Sequence, residues 1–316
     1  MSAPRHFLDL SEIDPAELRL ILEDAKRRKA DWKAGRREER PLRDRAVALM
    51  FDKPSTRTRT SFDVGIRQLG GESIMLSGGD MHVGADRAKT GGETLEDTAR
   101  VLSRFVDAVM LRTTAHERIV RLAAAADIPF VNGLTDDTHP CQIMADVMTF
   151  EEHRGPIEGR TLAWVGDGNN VTASLMEGAR ALGYRMRIAT PEGREPDARF
   201  RNDHVELGHD PGWAVSGADA VIADTFVSMG DSVEGAADLF APYQVNAGLM
   251  ERAGADAIFM HCLPAHRGEE VTDEVMDGPR SVVFDEAENR LHVQKSILVW
   301  CLAPDALDGA GEGKRA

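Results

Sequence analysis

The chain has 316 residues, 42% of them hydrophobic and 29% charged, and its net charge is −15 at pH 7. This length predicts two domains, since one domain usually holds ~100–200 residues, and the composition excludes disordered and fibrous proteins. The negative charge disfavours nucleic-acid binding, which requires a basic surface, so an anionic ligand would need a local cluster of donors.

The N-terminal sequence MSAPRHFLDLSEID has neither the basic start nor the apolar core of a secretory signal, and no segment approaches the ~20 apolar residues of a membrane span. The cysteines, Cys141, Cys262 and Cys301, lack the paired spacing of a disulfide framework or a structural zinc site. We therefore expect a cytoplasmic protein without a membrane-spanning segment.

The first predicted element is a helix that begins near Pro15. Asp14 is a typical N-cap, Glu17 suits a capping box, and apolar residues follow from Leu18 at helical spacing. Short apolar runs then alternate with helical patterns. The runs interpreted as buried strands are AVALMF (46–51), SIML (73–76), VDAVML (106–111), IPFV (128–131), TLAWVG (161–166), RMRIA (185–189), ADAVIA (218–223), DAIFM (256–260) and SVVF (281–284). This alternation predicts an α/β protein with two doubly wound parallel-sheet domains joined by interdomain helices.

The transition between the domains is predicted where a helix that begins at Pro140 ends in a charged Gly/Pro connection, residues 151–160. The predicted parts are a first domain (1–139), a second domain (140–290), an amphipathic C-terminal helix that packs back on the first domain (291–304) and a flexible tail (305–316). Ligands of doubly wound sheets bind beyond the carboxyl ends of the strands, so residues directly after each strand are the candidates for chemistry.

The stretch KPSTRTRTSF, residues 53–62, follows the first predicted strand and begins a helix, because apolar residues recur at helical spacing from Phe62. Arg57 and Arg59 would lie beside the positive end of the helix dipole, which is unfavourable unless they bind an anion. Backbone N–H groups, hydroxyls and a guanidinium group together make a phosphate site. For this stretch alone, a hydroxyl N-cap followed by solvated arginines is the alternative.

Other polar residues follow the later strands of the first half. Arg112 adds a second cation, and His139 and Gln142 stand at the start of the next helix, where a neutral imidazole and an amide suit a carbonyl oxygen. A metal site on His139 and Cys141 is the rival interpretation, although no further ligand lies at a known spacing. These residues predict a site for a phosphorylated carbonyl compound.

The motif GDGNN, residues 166–170, invites a dinucleotide interpretation, but it lacks the GxGxxG spacing and the acidic residue that would bind a ribose. A nicotinamide-dependent dehydrogenase is therefore a weak alternative. Asn169 and Asn170 suit a small polar ligand, although one of them could only cap the following helix.

Two later motifs also follow predicted strands. DTFVSMG, residues 224–230, supplies Asp224 as a helix cap or as the counter-ion of an amine, and HCLPAHRGEE, residues 261–270, supplies Cys262 beside polar residues. We expect this second half to bind a small molecule with an amine. Two half-sites that face each other across an interdomain cleft would imply group transfer.

Six motifs occur in one order over nearly the whole chain: STRTR, HPCQ, GDGNN, DTFVSMG, HCLPAHRGEEVTDEV and FDEAENRLH. In that order they resemble the aspartate/ornithine carbamoyltransferase family, and DxxxSMG and HCLP resemble its ornithine-type members. The resemblance implies that carbamoyl phosphate is bound by Ser55, Thr56, Arg57, Thr58, His82, Arg112, His139, Gln142, Cys262, Leu263 and Arg290. It implies that L-ornithine is bound by Asn170, Asp224, Ser228 and Met229. The residues it implies for catalysis are Arg57, Arg112, His139, Asp224 and Cys262.

The activity that the resemblance implies is carbamoyl transfer from carbamoyl phosphate to the side-chain amine of L-ornithine, which gives L-citrulline and phosphate in arginine biosynthesis. It implies no metal, no organic cofactor, and a homotrimer or a multiple of trimers in which a loop completes the neighbouring site. That loop departs from the family pattern here, with extra residues from Ala85 to Thr90 after His82. Transfer to putrescine or an acylated ornithine, a catalytically silent regulatory subunit, and the catabolic direction remain open.

Overall fold

The computed structural model of the chain describes residues 3–77, 93–227 and 235–307. It divides into two compact units, which we call the first unit (Met1–Met144 with Arg290–Ala316) and the second unit (Ala145–Asn289). Each unit contains one sheet whose strands are all parallel, so the predicted α/β fold class is confirmed. Among the described residues, no helix has both the length and the apolar character that crossing a bilayer requires.

The first unit has a four-stranded sheet in the order β2-β1-β3-β4, and the second unit has a five-stranded sheet in the order β7-β6-β5-β8-β9. The strands are β1 (Ala46–Phe51), β2 (Glu72–Ser77), β3 (Ala108–Arg112), β4 (Phe130–Leu134), β5 (Thr161–Val165), β6 (Arg185–Ala189), β7 (Val205–Gly208), β8 (Ala220–Ala223) and β9 (Ile258–His261).

Helices of very different length connect these strands. In chain order they are α1 (Pro15–Lys33), α2 (Thr56–Gln68), α3 (Leu95–Leu102), α4 (His116–Ala125), α5 (Pro140–Arg154), α6 (Asn170–Leu182), α7 (Pro211–Val215), α8 (Ala236–Phe240), α9 (Ala247–Arg252), α10 (Asp273–Met276) and α11 (Val283–Leu302). The boundaries between the two units fall inside α5 and α11.

Local sequence signals explain why several elements begin where they do. The side chain of Asp14 accepts a hydrogen bond from the backbone N–H of Ala16, as an N-cap should, and Pro15 is the first residue of α1. The apolar stripe of α1 that begins at Leu18 is buried, and removing its surface from water stabilises the first unit by ~1.5–3 kcal/mol for each large side chain. The N-cap and stripe predicted for this helix are confirmed.

Each sheet has one point where the chain reverses its direction of travel across the strands. In the first unit this point lies between β1 and β3, where Phe51 is the register partner of Arg112. In the second unit it lies between β5 and β8. Loops that leave neighbouring strands at such a point diverge and open a crevice, which is where doubly wound sheets bind ligands.

The structure differs from the predicted strands at two places. The run SVVF was predicted to be a strand, but only Ser281 makes an isolated bridge, to Phe259, and α11 begins at Val283. A short apolar run fits a strand and a buried helical turn equally well, so this prediction was wrong. The strand β7 was missed because Val205–Gly208 is a partly exposed edge strand without an apolar run.

The C-terminal helix also differs from its prediction. It begins at Val283 rather than at residue 291, and every residue from His292 to Cys301 is buried. The second half of this helix is therefore part of the core and lacks the exposed face of the amphipathic helix that was predicted.

The loop after β5 depends on a glycine that the backbone of another loop approaches closely. A Cβ atom on Gly168 would lie 2.3 Å from the Pro196 nitrogen and 2.6 Å from the Arg194 carbonyl oxygen. The Gly168 N–H donates to that same carbonyl at 2.9 Å. Only glycine fits this close approach of two backbones. The second glycine of GDGNN therefore serves backbone packing and gives no support to a dinucleotide site.

We expect Gly168→Ala to lower the free energy of unfolding by ~1–3 kcal/mol or more, because rigid backbone atoms must move to admit the methyl group. Gly248→Ala is the matched control, because a Cβ atom there would lie 3.4 Å from its nearest neighbour, Asn246 Oδ1, within helix α9. That control should be neutral or more stable by up to ~1 kcal/mol. Urea denaturation of both variants measures the difference, and equal stability would contradict the assignment.

Candidate active site

The start of α2 lies directly after β1 at the switch point of the first sheet. Ser55 is the N-cap, and its Oγ accepts a hydrogen bond from the Thr58 N–H at 3.3 Å. The first turn contains no acidic residue, and Thr56 and Arg57 are exposed there. The predicted helix start is therefore confirmed, with backbone N–H groups and a guanidinium group at the same helix end.

Arg112 ends β3 beside this turn. Its Nη1 donates to the Thr58 hydroxyl at 3.3 Å, and Thr58 is buried. The guanidinium group of Arg112 and the N-terminal turn of α2 thus meet at the carboxyl edge of the sheet, where the strand order predicted a ligand crevice.

His139 directly precedes α5 and is buried together with Gln142 and Arg290. Arg290, on α11, donates from Nη1 to the Gln142 side-chain oxygen. Burial, and then the positive charges of Arg290 and Arg112, hold the pKa of His139 well below its usual value. The imidazole is therefore neutral, and it can donate an N–H to a carbonyl oxygen without adding charge.

Cys141, the second residue of the rival metal site, is buried in the first turn of α5. Its thiol donates to the Asn132 carbonyl at 3.3 Å, and burial raises its pKa to about 12. The thiol thus already serves a hydrogen bond to the backbone of β4.

Asp52 ties the loop after β1 to the loop after β3. Its carboxylate accepts from the Thr113 hydroxyl at 2.5 Å and from Arg118 Nη1 at 2.7 Å, and its N–H donates to the Arg112 carbonyl at 2.9 Å. The loops that lead to Ser55 and away from Arg112 are thereby held together. Motif reasoning missed Asp52, although its place directly after a predicted strand marked it as a candidate.

In the second unit, the loops after β5 and β8 bring Asn169 and Asp224 together. Asn169 caps α6 by accepting from the N–H groups of Val171 and Thr172, and its Nδ2 donates to the Asp224 carboxylate at 2.8 Å. The sequence left open which of the two asparagines caps the helix, and in the structure it is Asn169. Asn170 is the first residue of α6 and is partly exposed.

Cys262 follows β9 and donates its thiol to Asp224 at 3.0 Å. Burial, then the neighbouring carboxylates of Asp224 and Glu286, raise the pKa of Cys262 well above its usual value, so this cysteine is a neutral thiol. Asp224 also accepts from the Thr225 N–H at 2.8 Å. The Asp224 carboxylate therefore supplies negative charge at the carboxyl edge of the second sheet. The uncharged Cys262 thiol beside it is only a weak hydrogen-bond donor.

The turn after Cys262 has an unusual backbone. Leu263 has a φ of 59°, in the left-handed region that bulky residues rarely enter, and its N–H donates to His261 Nδ1 at 2.9 Å. The other nitrogen of His261 lies 3.2 Å from the Glu270 carboxylate, and the His261 N–H donates to Glu286 at 2.9 Å. Such backbone strain costs ~1–3 kcal/mol and persists where neighbours fix it, often at functional sites.

Two groups of side chains in the second unit have the composition of metal ligands. They are Asp224 with His261 and Cys262, and His266 with Glu269 and Glu270. In the first group, the neutral Cys262 thiol donates to Asp224, and the His261 imidazole accepts from the Leu263 N–H. Both side chains therefore already make hydrogen bonds within the protein.

Comparisons with known proteins point to one family. The model of the aspartate/ornithine carbamoyltransferase carbamoyl-phosphate-binding domain matches residues 5–152, and that of the Asp/Orn-binding domain matches residues 158–301. A protein named ornithine carbamoyltransferase from Agrobacterium fabrum is 58% identical over 309 residues, which covers 96% of this chain and 99% of that protein. The chain belongs to the aspartate/ornithine carbamoyltransferase family.

Other relatives agree with this carbamoyltransferase family assignment. A protein named ornithine carbamoyltransferase from Rhizobium johnstonii is 60% identical over 307 residues, which covers 95% of this chain and 99% of that protein. The solved structure of ornithine carbamoyltransferase from Pyrococcus furiosus matches with a TM-score of 0.90 and 46% identity, over 95% of this chain and 97% of that one. The resemblance drawn from six motifs is confirmed.

Three of the site residues that the family resemblance implies lie outside the described residues. They are His82, Ser228 and Met229. In the first unit, the structure places Ser55, Thr58 and Arg112 at one switch point. In the second unit, it connects Asp224 with Cys262, and it adds the turn-holding residues His261, Glu270 and Glu286, which no motif argument had assigned. The ligand roles of all these residues stay predictions.

The neutral state of His139 predicts how stability depends on pH. Because its folded pKa lies below its unfolded value of ~6.5, the unfolded chain binds a proton first as the pH falls. Its contribution to stability is complete above that unfolded value and is lost as the pH falls toward the folded pKa, by up to ~1.4 kcal/mol per pH unit.

We expect urea denaturation between pH 7.5 and 5.5 to show a steeper loss of stability for the wild type than for His139→Gln, which cannot bind the proton. Other titrating groups contribute equally to both proteins, so the difference isolates His139. Parallel pH profiles would contradict a neutral imidazole.

The thiol state of Cys262 predicts its reactivity. We expect slow alkylation by iodoacetamide at pH 8, and faster alkylation in Asp224→Asn, because the substitution removes a negative charge that opposes thiolate formation. The rate should rise ~3–4-fold for each unit by which the pKa falls, because the larger thiolate fraction is partly offset by the lower nucleophilicity of that thiolate. Mass spectrometry of the Cys262 peptide gives both rates, and the urea-unfolded proteins give the reference rate. Equal rates in the folded proteins would contradict the coupling.

Proposed function

We propose that this chain transfers the carbamoyl group of carbamoyl phosphate to the side-chain amine of L-ornithine, which yields L-citrulline and phosphate. The observation that carries the proposal is the chemistry at the two switch points. Cations and a neutral, buried His139 lie at the first, and a carboxylate paired with a neutral thiol lies at the second. The names of the relatives, ornithine carbamoyltransferase, support the choice of substrates.

Phosphate recognition is assigned to the start of α2. The backbone N–H groups of its first turn point toward a ligand beyond the helix end, where the dipole favours negative charge. Arg57 can bind two phosphate oxygens with its planar guanidinium group. The phosphate ligands proposed with it are Ser55, Thr56, Thr58, Arg112 and His82.

The carbamoyl group is assigned to the buried cluster beside this turn. Its carbonyl oxygen would accept from the neutral His139 and from Arg112, and its amide nitrogen would donate to Gln142. The hydrogen bond from Arg290 to the Gln142 side-chain oxygen fixes that amide and supports this orientation. Arg290 is therefore proposed as a ligand and as the group that orients Gln142.

The proposed reaction has one addition and one elimination. The neutral ornithine amine attacks the carbamoyl carbon and forms a C–N bond, so negative charge develops on the carbonyl oxygen. Arg57, Arg112 and His139 stabilise that oxyanion with donors that are already in place. The C–O bond to phosphate then breaks, and phosphate leaves with the bond electrons and accepts the amine proton.

Asp224 and Cys262 are assigned to the amine. An alkyl amine has a pKa of ~10.4 in water and must lose a proton before it can attack. The Asp224 carboxylate accepts from one ammonium hydrogen, and exclusion of water favours the neutral form. Because Cys262 is a neutral thiol bonded to Asp224, we assign it to orientation and not to nucleophilic attack.

The strained turn at Leu263 supports the same assignment. Its carbonyl is an acceptor whose direction is set by the positive φ and by the Leu263–His261 hydrogen bond. We propose that this carbonyl accepts from the reacting nitrogen, while Asn170, Ser228 and Met229 bind the amino-acid end of ornithine.

Exposed apolar residues of the first unit support the proposal of a homotrimer. Phe105 is 73% exposed and Ile74, on the edge strand β2, is 43% exposed. Large apolar side chains in water cost free energy that a subunit interface would recover. The free thiol state of the cysteines supports a cytoplasmic location, where disulfides are rare.

Steady-state citrulline formation tests the function. We expect turnover with carbamoyl phosphate and L-ornithine, and a loss of ~100-fold or more in kcat for Arg57→Ala, because one lost oxyanion donor costs that much in other enzymes. Arg67→Ala is the matched control, since Arg67 is an exposed arginine in the last turn of the same helix, paired with Asp63, and no role is assigned to it. Product from putrescine but not from ornithine would overturn the acceptor assignment, and unchanged turnover of Arg57→Ala would remove that residue from the mechanism.

A further inference from the structure

His139 is the last residue of the loop that leads from β4 into α5, so its imidazole is aimed by a short turn. The Thr135 N–H donates to the Thr138 carbonyl at 2.9 Å, and the Thr138 N–H donates to the Thr135 hydroxyl oxygen at 3.1 Å. Both threonines are buried. The turn is therefore closed on itself directly before His139.

Two side chains from distant parts of the chain fix this turn. Asp9 accepts from the Thr138 hydroxyl at 2.6 Å, and the other oxygen of its carboxylate lies 3.0 Å from His116 Nε2. His116 Nδ1 lies 3.0 Å from the Thr135 hydroxyl oxygen. The Asp9–His116 pair thus contacts both threonines of the turn.

Backbone pairing places each member of the pair. Asp9 follows a segment that pairs with β4 as an added strand, because the Phe7 N–H donates to the Phe130 carbonyl and the Phe7 carbonyl accepts from Asn132, both at 2.8 Å. His116 begins α4, soon after Arg112 ends β3.

The loop after β3, which follows Arg112, and the loop after β4, which leads to His139, are also hydrogen-bonded to each other. The Thr113 N–H donates to the Leu134 carbonyl at 3.0 Å, and the Asp136 N–H donates to the Thr114 carbonyl at 2.9 Å. The His116 ring lies across this junction, through its contact with Thr135.

We propose that Asp9 and His116 are positioning residues, which set the direction of the His139 imidazole relative to Arg112 without touching the substrate. This inference rests on the proposed function. Donors that stabilise a developing oxyanion must be in place before the charge appears, and a misplacement of about 1 Å can cost ~100-fold in rate. The Asp9–His116 pair adds side-chain contacts at both ends of the turn to its backbone bonds, and it thereby limits the thermal motion of His139.

Two substitutions of His116 separate positioning from simple structural support. The side chain of His116→Gln reaches the position of Nε2 and keeps the contact with Asp9, whereas His116→Asn ends near Nδ1, keeps the contact with Thr135 and loses Asp9. We expect kcat to fall ~10-fold or more in His116→Asn and to recover at least partly in His116→Gln, with the KM for ornithine unchanged in both. Glu117→Ala, at the exposed neighbouring position, is the control and should behave as the wild type.

The Asp9 side of the pair gives a second test. If the two residues act as one unit, the kcat of Asp9→Asn/His116→Asn will equal that of the worse single variant, whereas independent residues would give losses that multiply. Thermal unfolding of each variant shows that the assays use folded protein.

Four outcomes are distinguishable. A kcat of folded His116→Asn within twofold of the wild type, or multiplied losses in the double variant, would overturn the positioning role. Equal loss of kcat in His116→Gln and His116→Asn would also overturn it, since a preserved Asp9 contact would then have no effect. A wild-type protein that forms no citrulline at all would instead contradict the proposed function.

Discussion

The structure depends on an electrostatic conflict at the carboxyl edge of the first sheet. A helix begins there with its positive end toward Arg112, and no acidic residue of its first turn compensates. Burial and the charges of Arg112 and Arg290 drive the proton from His139. A chain with a net charge of −15 thus brings Arg112, Arg290 and the positive end of a helix close to one another, the arrangement that we propose for binding an anion.

The second sheet has the opposite arrangement at its own switch point. Asp224 accepts hydrogen bonds from Asn169 and Cys262, so its charge is held in place but is not neutralised by a cation among these partners. The two switch points therefore differ in charge, with cationic side chains and a helix N-terminus at the first and a carboxylate at the second. The proposed carbamoyl transfer would need no covalent intermediate, because positioning and oxyanion stabilisation can supply most of the acceleration.

Sequence reasoning succeeded where local rules decide the structure. The strands AVALMF and RMRIA have the predicted bounds, and Ser55 caps a helix where hydroxyl residues precede an apolar pattern. The helix at Pro140 also begins where predicted. Each of these features depends on residues that are close in sequence, so spacing and turn chemistry were sufficient.

Sequence reasoning failed where the structure depends on contacts between residues that are distant in the sequence. SVVF became the start of a helix, and the second half of that helix, from His292 to Cys301, is buried. The contact between Asp9 and His116 needs the pairing of Phe7 with β4, which no local pattern indicates. The left-handed backbone of Leu263 likewise follows from its hydrogen bond to His261 and not from its residue type.

Calorimetric titration of the wild-type protein with carbamoyl phosphate, without ornithine, tests whether the cationic edge of the first sheet is an anion site. We predict saturable binding that weakens as salt rises from 0.01 to 0.15 M, because ions screen the charges over a Debye length that falls from ~30 to ~8 Å. Inorganic phosphate should compete, and Arg112→Ala should weaken binding. Absence of binding at low salt, or an affinity that does not change in Arg112→Ala, would contradict the anion site.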